Sequence, residues 1–258
     1  MRWLTLTVVP LLLFLAGPAH AQYNSFPPGV FSGKAAQTPA GGGGGTVTLD
    51  VATPASVAGS AGTTLTWSQA GAASGLTAAE VQASVYGAGG TLPSATYGGT
   101  SMTLVASWTG SQASLGGTDA IWCLLAPAGG TQTVVVTAGG EGASGYYIAA
   151  QSVTVTGSNT STCMRAGSSA SSINAAETSP QAATMSTQSG DLQVDMFACL
   201  SCTAPGPSNT ALYATQTVAA ANFRGSYKSA TGTSTATSWT FSGAPSNNAV
   251  FGAAFQHP

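Results

Sequence analysis

Residues 119–138 read DAIWCLLAPAGGTQTVVVTA. The opening DAIWCLLA is apolar at almost every position. The closing TQTVVVTA is dominated by β-branched Thr and Val, and Pro127, Gly129 and Gly130 interrupt the two. That is the signature of strand, turn and strand. A strand that is apolar on consecutive residues must be covered on both faces, so IWCLLA predicts a central strand. YYIAA at 146–150 predicts a second one for the same reason.

The same texture extends both ways. Upstream lie TVTLDV (46–51), TTLTWSQ (63–69), EVQASVY (80–86) and MTLVAS (102–107). Downstream lie YYIAAQSVTV (146–155), DLQVDMFA (191–198), NFRGSYK (222–228), TSWTFS (237–242) and AVFGAAF (249–255). Gly, Ser, Asn and Pro clusters separate most of them. In TSWTFS, Trp239 and Phe241 share one face and the hydroxyls the other; in TTLTWSQ, Leu65 and Trp67 lie opposite Thr64, Thr66 and Ser68. This is the half-buried antiparallel pattern. Helical evidence is confined to Leu76–Ala83, which reads as a turn or two, and no 20–50-residue period recurs. The expectation is an all-β chain, folded from residue 46 to 258 as one two-sheet antiparallel β-sandwich.

Composition narrows the function. Ala, Thr, Gly and Ser supply 146 of the 258 residues, and charged residues are 5%, against roughly 25% in an average domain. The surface must therefore be wetted by hydroxyls and amides. Five Lys+Arg against seven Asp+Glu provide no basic footprint for phosphate, so a nucleic-acid partner is not expected. The shortage of Lys also leaves strand edges poorly guarded against pairing with another copy, so a homo-oligomer is an open expectation.

The segments VTLDVATPASVAGSAGTTLTWSQ (47–69), ATYGGTSMTLVAS (95–107), AIWCLLAPAGGTQTVVVT (120–137), GDLQVDMFA (190–198) and ATSWTFSGAPSNNAVFGAAF (236–255) carry a resemblance. A strand pair surrounds the YGG turn, and W-x-L-L-x-P precedes T-x-T-V-x-V-T. Together they resemble a jelly-roll or concanavalin-like β-sandwich domain found in bacterial extracellular and phage-associated proteins. The resemblance implies fold and an adhesive or binding role. It brings no catalytic residues with it.

At the N-terminus, Arg2 precedes an apolar run from Leu4 to Ala16, followed by Ala19-His20-Ala21. This is the layout of a secretory signal peptide over 1–21, too short for a comfortable membrane span. Residues 22–45, with Pro27-Pro28, Pro39 and five glycines, read as a flexible leader. Export would make Cys123, Cys163, Cys199 and Cys202 disulfide candidates. Three connectivities are open; the loop-like settings of Cys163 and Cys202 suggest that pair, while Cys123 reads equally as a buried free thiol.

Chemistry is sparse. After signal removal His257 is the one histidine left, and a penultimate residue is expected to be poorly held, which argues against Ser-His-Asp catalysis or a His-based metal site. Asp191 and Asp195 share a strand and stand roughly 13 Å apart, beyond a glycosidase pair. Asp50, Asp119 and Asp191 read as turn and strand-end caps. Asp119 and Glu141 lie in Gly-flanked sequence and are the candidates for a structural calcium ion. Sugar rings stack on aromatic faces, which makes Trp108, Tyr97 and Tyr147 the candidate ligand contacts, whereas Trp67, Trp122 and Trp239 read as core. The sequence thus predicts a secreted, non-catalytic module that binds glycans or a cell-surface polymer. The alternatives are a secreted carbohydrate-active enzyme and a self-assembling surface protein.

Overall fold

The computed structural model describes residues 45–59, 64–69, 75–87, 89–110, 117–139, 146–174 and 179–258. The signal peptide, nearly all of the leader and Glu141 lie outside them. Among the described residues 71% are strand and none is helical.

The strands in chain order are β1 (Thr48–Gly59), β2 (Thr64–Gln69), β3 (Ala78–Tyr86), β4 (Thr91–Tyr97), β5 (Thr100–Ser101), β6 (Thr103–Gly110), β7 (Gly117–Leu125) and β8 (Gln132–Gly139). They continue with β9 (Tyr146–Thr156), β10 (Ala170–Asn174), β11 (Gln181–Ser186), β12 (Leu192–Pro207), β13 (Thr210–Ala211), β14 (Gln216–Val218), β15 (Ala221–Ser229) and β16 (Ser234–Phe255). All pairings are antiparallel, so the all-β sandwich reading holds, with a third sheet added to it.

A five-stranded sheet in the order β1-β9-β3-β7-β6 lies at the centre. One of its faces carries Val81, Val85, Trp122 and Ile148 against Leu65, Tyr97, Val134 and Val136 of the four-stranded sheet β2-β8-β4-β5. Its other face carries Ile121, Val153 and Val155 against Val194, Met196, Phe223, Phe251 and Phe255 of a seven-stranded sheet built on β16-β12-β15. Covered on both sides, β3 and β7 are buried almost throughout, as the two-faced apolar runs require.

Leu76–Ala83 corrects the helical reading: it enters β3, whose nine residues are all buried. With both faces covered, strand alternation disappears, and Ala-rich sequence then mimics a helix. GAPSNN, a turn by composition, lies inside the unbroken β16. Its partner β12 shifts register between Leu200 and Cys202 and again between Thr203 and Gly206. These bulges bend both long strands. Their far ends, with β11, fold back over the outer face of the seven-stranded sheet, where Phe197 stacks on Trp239 and Phe241 at 5.4 and 5.3 Å between centroids.

Two disulfides are present. Cys123 of β7 pairs with Cys163, and Cys199 pairs with Cys202 (Cα–Cα 6.3 and 5.9 Å). The suggested Cys163–Cys202 pairing is therefore replaced, and Cys123 is not a free thiol. The first bridge staples the 157–169 loop to the central sheet. The second spans the bulge at Ser201, whose φ of 62° is left-handed, so the C-x-x-C sits in a bent strand.

Candidate functional site

Three residues singled out in the sequence meet on the central sheet. In β7 Asp119 lies directly opposite Ser84 of β3 and Trp108 of β6. Tyr147 of β9 lies opposite Tyr86 of β3, their rings 5.9 Å apart. Partners in register point to the same face, so Tyr147, Tyr86, Ser84, Asp119 and Trp108 form one patch across four strands. That face looks toward the seven-stranded sheet, where the Trp108 indole rests 6.2 Å from Phe251. Gly117 opposite Tyr86 is obligatory, because a Cβ there would lie 2.2 Å from the Val85 carbonyl oxygen.

The electrostatics of the patch are unusual. Asp119 is only 3% exposed, and its Oδ1 has no hydrogen-bond partner, nor does the Tyr86 hydroxyl. Burial raises the Asp119 carboxyl to about 7, opposed only by the Ser84 hydroxyl. Burial, with the Asp119 charge adding to it, also drives the Tyr86 phenol well above its ordinary value. Trp108 and Tyr147, on the same face, are only partly buried.

The patch stands far from where the described chain begins. A Cβ on Gly157, just past the end of β9, would lie 2.7 Å from the Thr46 carbonyl oxygen. Tyr147 is near the other end of β9, nine residues from Thr156, which is about 30 Å of extended strand. The C-terminus shares the first pole: a Cβ on Gly45 would lie 3.6 Å from Pro258.

Tyr97 does not join the patch. At 1% exposure it is packed between the central and four-stranded sheets, which corrects its placement on a rim. Gly98 and Gly99 supply the two positive-φ residues (56° and 78°) of the tight turn that follows it, a hairpin geometry that glycine favours. Asp119 lies within β7, not in a loop, and among the described residues no three His, Cys, Asp or Glu side chains converge as a metal site.

The acids are more deeply buried than capping roles imply. Asp50 does accept from Thr154 Oγ1 at 2.8 Å, but Glu80, Asp119, Asp191 and Asp195 are all buried. Glu80 accepts from Gln82 Nε2 at 2.6 Å, and burial lifts it to about 8, with that bond opposing and the Asp195 charge assisting. Asp195, on the other side of the seven-stranded sheet, accepts from Ser226 and Trp239 (2.8 Å each) and Thr237 (3.0 Å). Burial still outweighs these donors and raises it to about 6. Glu80 lies in register with Cys123, four residues along β7 from Asp119, hence about 13 Å away and outside glycosidase spacing.

His257 is well held, against expectation. Its Nδ1 is 2.7 Å from Asp191 Oδ1, and its backbone N–H donates to the same oxygen. Arg165 closes a bidentate pair on that carboxylate. Burial acts to raise Asp191, but the bonds from Arg165, His257 and Gln188 prevail and hold it below the usual carboxylate range. The cluster anchors the C-terminal tail, with Gly190 also accepting from Val47 N–H at 3.0 Å.

Sequence reasoning missed Ser84 and Tyr86. Their signal was present in EVQASVY, where Glu80, Gln82, Ser84 and Tyr86 alternate onto one face of a strand covered on both sides. Comparison of the chain with protein-family models, curated proteins and solved structures finds no match.

Proposed function

We propose that this protein is an exported, non-catalytic β-sandwich module that binds carbohydrate at the Trp108–Asp119–Tyr147 patch. The carrying observation is the partly buried Trp108 directly across from Asp119, whose Oδ1 has no partner, with Tyr147 beside Tyr86 on the same face. Aromatic faces take the apolar side of a pyranose, and a carboxyl takes its hydroxyls. The two disulfides and the signal-like N-terminus support export. The jelly-roll or concanavalin-like resemblance accords with an adhesive role.

Polysaccharide pull-down and glycan-array binding of wild type, Trp108→Ala, Tyr147→Ala and Tyr97→Phe test this reading. Binding is expected to fall about two- to tenfold in the first two variants, the scale of one lost stacking contact, and to persist in Tyr97→Phe. Equal binding by wild type and Trp108→Ala would remove the site.

One observation favours a second reading, strand-to-strand self-assembly. β6 is an uncharged edge of the central sheet, and it carries Leu104, a large apolar side chain that is 50% exposed. Sedimentation of wild type against Leu104→Lys distinguishes it: only self-assembly through β6 predicts a fall in mass.

A further inference from the structure

We propose that the patch selects carbohydrate bearing a free amine, a deacetylated amino sugar whose ammonium group pairs with Asp119 inside the rings of Tyr86, Tyr147 and Trp108. This rests on the glycan-binding reading and specifies its ligand.

Asp119 is buried with one oxygen unpartnered, and the described residues bring it no positive charge. Among the described cations, Arg165 is committed to Asp191, Arg224 donates to the carbonyls of Tyr213 and Pro205, and Lys228 is exposed on β15. The groups that influence Asp119 from its own sheet are Ser84 and the phenol of Tyr86, with Tyr147 beyond it. From the opposite sheet the patch meets Phe251. Among the described residues the surroundings are thus aromatic and neutral.

A neutral sugar hydroxyl gives the protonated carboxyl one ordinary hydrogen bond and leaves its charge state unchanged. An ammonium group instead pairs with the ionised form and makes a stronger bond to it. It donates a charge-assisted hydrogen bond to Asp119 and is attracted by the negative faces of the surrounding rings. The sugar ring itself stays stacked on Trp108. Because a cation favours the ionised carboxyl, its arrival expels the proton that Asp119 carries in the free protein. No bond is made or broken in the sugar. The proton leaves to buffer, and the ammonium takes its place.

Isothermal titration tests this with three ligands of equal length: a β-1,4 glucosamine oligomer with free amines, its fully N-acetylated form, and a glucose oligomer. Wild type is expected to bind the amine oligomer at least about tenfold tighter than the other two, as one charge-assisted bond warrants. Its binding heat should differ between buffers of unlike ionisation enthalpy near pH 6, which reads the released proton without any variant. Asp119→Asn, checked for an unchanged circular dichroism spectrum, should erase the preference while retaining the neutral oligomers. Equal affinity of wild type for all three, a buffer-independent heat, or a preference that survives in Asp119→Asn would overturn the selectivity. Failure of every oligomer to bind would overturn the glycan reading as well.

Discussion

Replacing Glu80 by Gln removes one titrating proton from the seam between the central and seven-stranded sheets while preserving its shape. Glu80 Oε1 already accepts from Gln82, and Oε2 has no partner, so a Gln amide at that position fits the protonated carboxyl. Burial lifts the Glu80 carboxyl from 4.5 to about 8 in the fold. The folded protein therefore holds this proton more tightly than the unfolded chain does. Its stabilising effect is complete below the unfolded value of 4.5 and is lost as the pH rises to about 8. Within that window the loss amounts to about 1.4 kcal/mol per pH unit, or roughly 4 kcal/mol between about pH 5 and about pH 8. Asp119 and Asp195, raised to about 7 and about 6, add losses of the same sign lower in the window. Those remain in the variant, so the difference between the two proteins isolates Glu80. Urea unfolding at several pH values should show wild type weakening with pH more steeply than Glu80→Gln. Parallel profiles would refute the assignment of a buried, protonated Glu80.

Other perturbations have equally definite outcomes. Asp191→Asn should act in the opposite direction: Asp191 is held below the usual carboxylate range, so its contribution is present near neutrality and lost in acid. Wild type should therefore lose more thermal stability than the variant as the pH falls below about 4. Ser replacement at Cys123 and Cys163 opens a loop of sequence separation 40 and should cost about 4 kcal/mol in denaturant unfolding. Removing the Cys199–Cys202 bridge, with a separation of 3, should cost under about 2 kcal/mol. Asp195→Ala strands the donors of Ser226, Thr237 and Trp239 and should destabilise by about 3 kcal/mol, read by the same method. Gly117→Ala, whose Cβ meets the Val85 oxygen, should lower the melting temperature and disturb the near-ultraviolet signal of Tyr86.

Strand content was legible where one face of a strand meets solvent and the other carries bulky side chains. TLTWSQ in β2 and QAATMS in β11 alternate in burial, although the second has too little bulk to stand out in sequence. Two-faced burial was readable in IWCLLA and YYIAA because their side chains are large. It was hidden in AAEVQASV, where the buried residues are small or polar. The sheet count escaped for a related reason: a strand that serves two interfaces looks the same as one in a tightly covered sandwich. Trp108, Tyr147 and Asp119 could be selected by chemistry but not brought together, since their proximity depends on the registers of four strands separated by long stretches of chain. Tyr97 was misplaced because a turn glycine next to an aromatic fits either a rim or the last core position of a hairpin. His257 was misjudged from its position alone, with no sequence clue that Asp191 and Arg165 would hold it.

A crystal structure with a soaked glucosamine oligomer tests the account most directly. A sugar ring is expected against Trp108 and Tyr147, with its amine within about 3 Å of Asp119 Oδ1. An oligomer seated elsewhere, for example in the cavity of about 400 Å³ beside the Cys123–Cys163 bridge, with Trp108 still packed on Phe251, would contradict it.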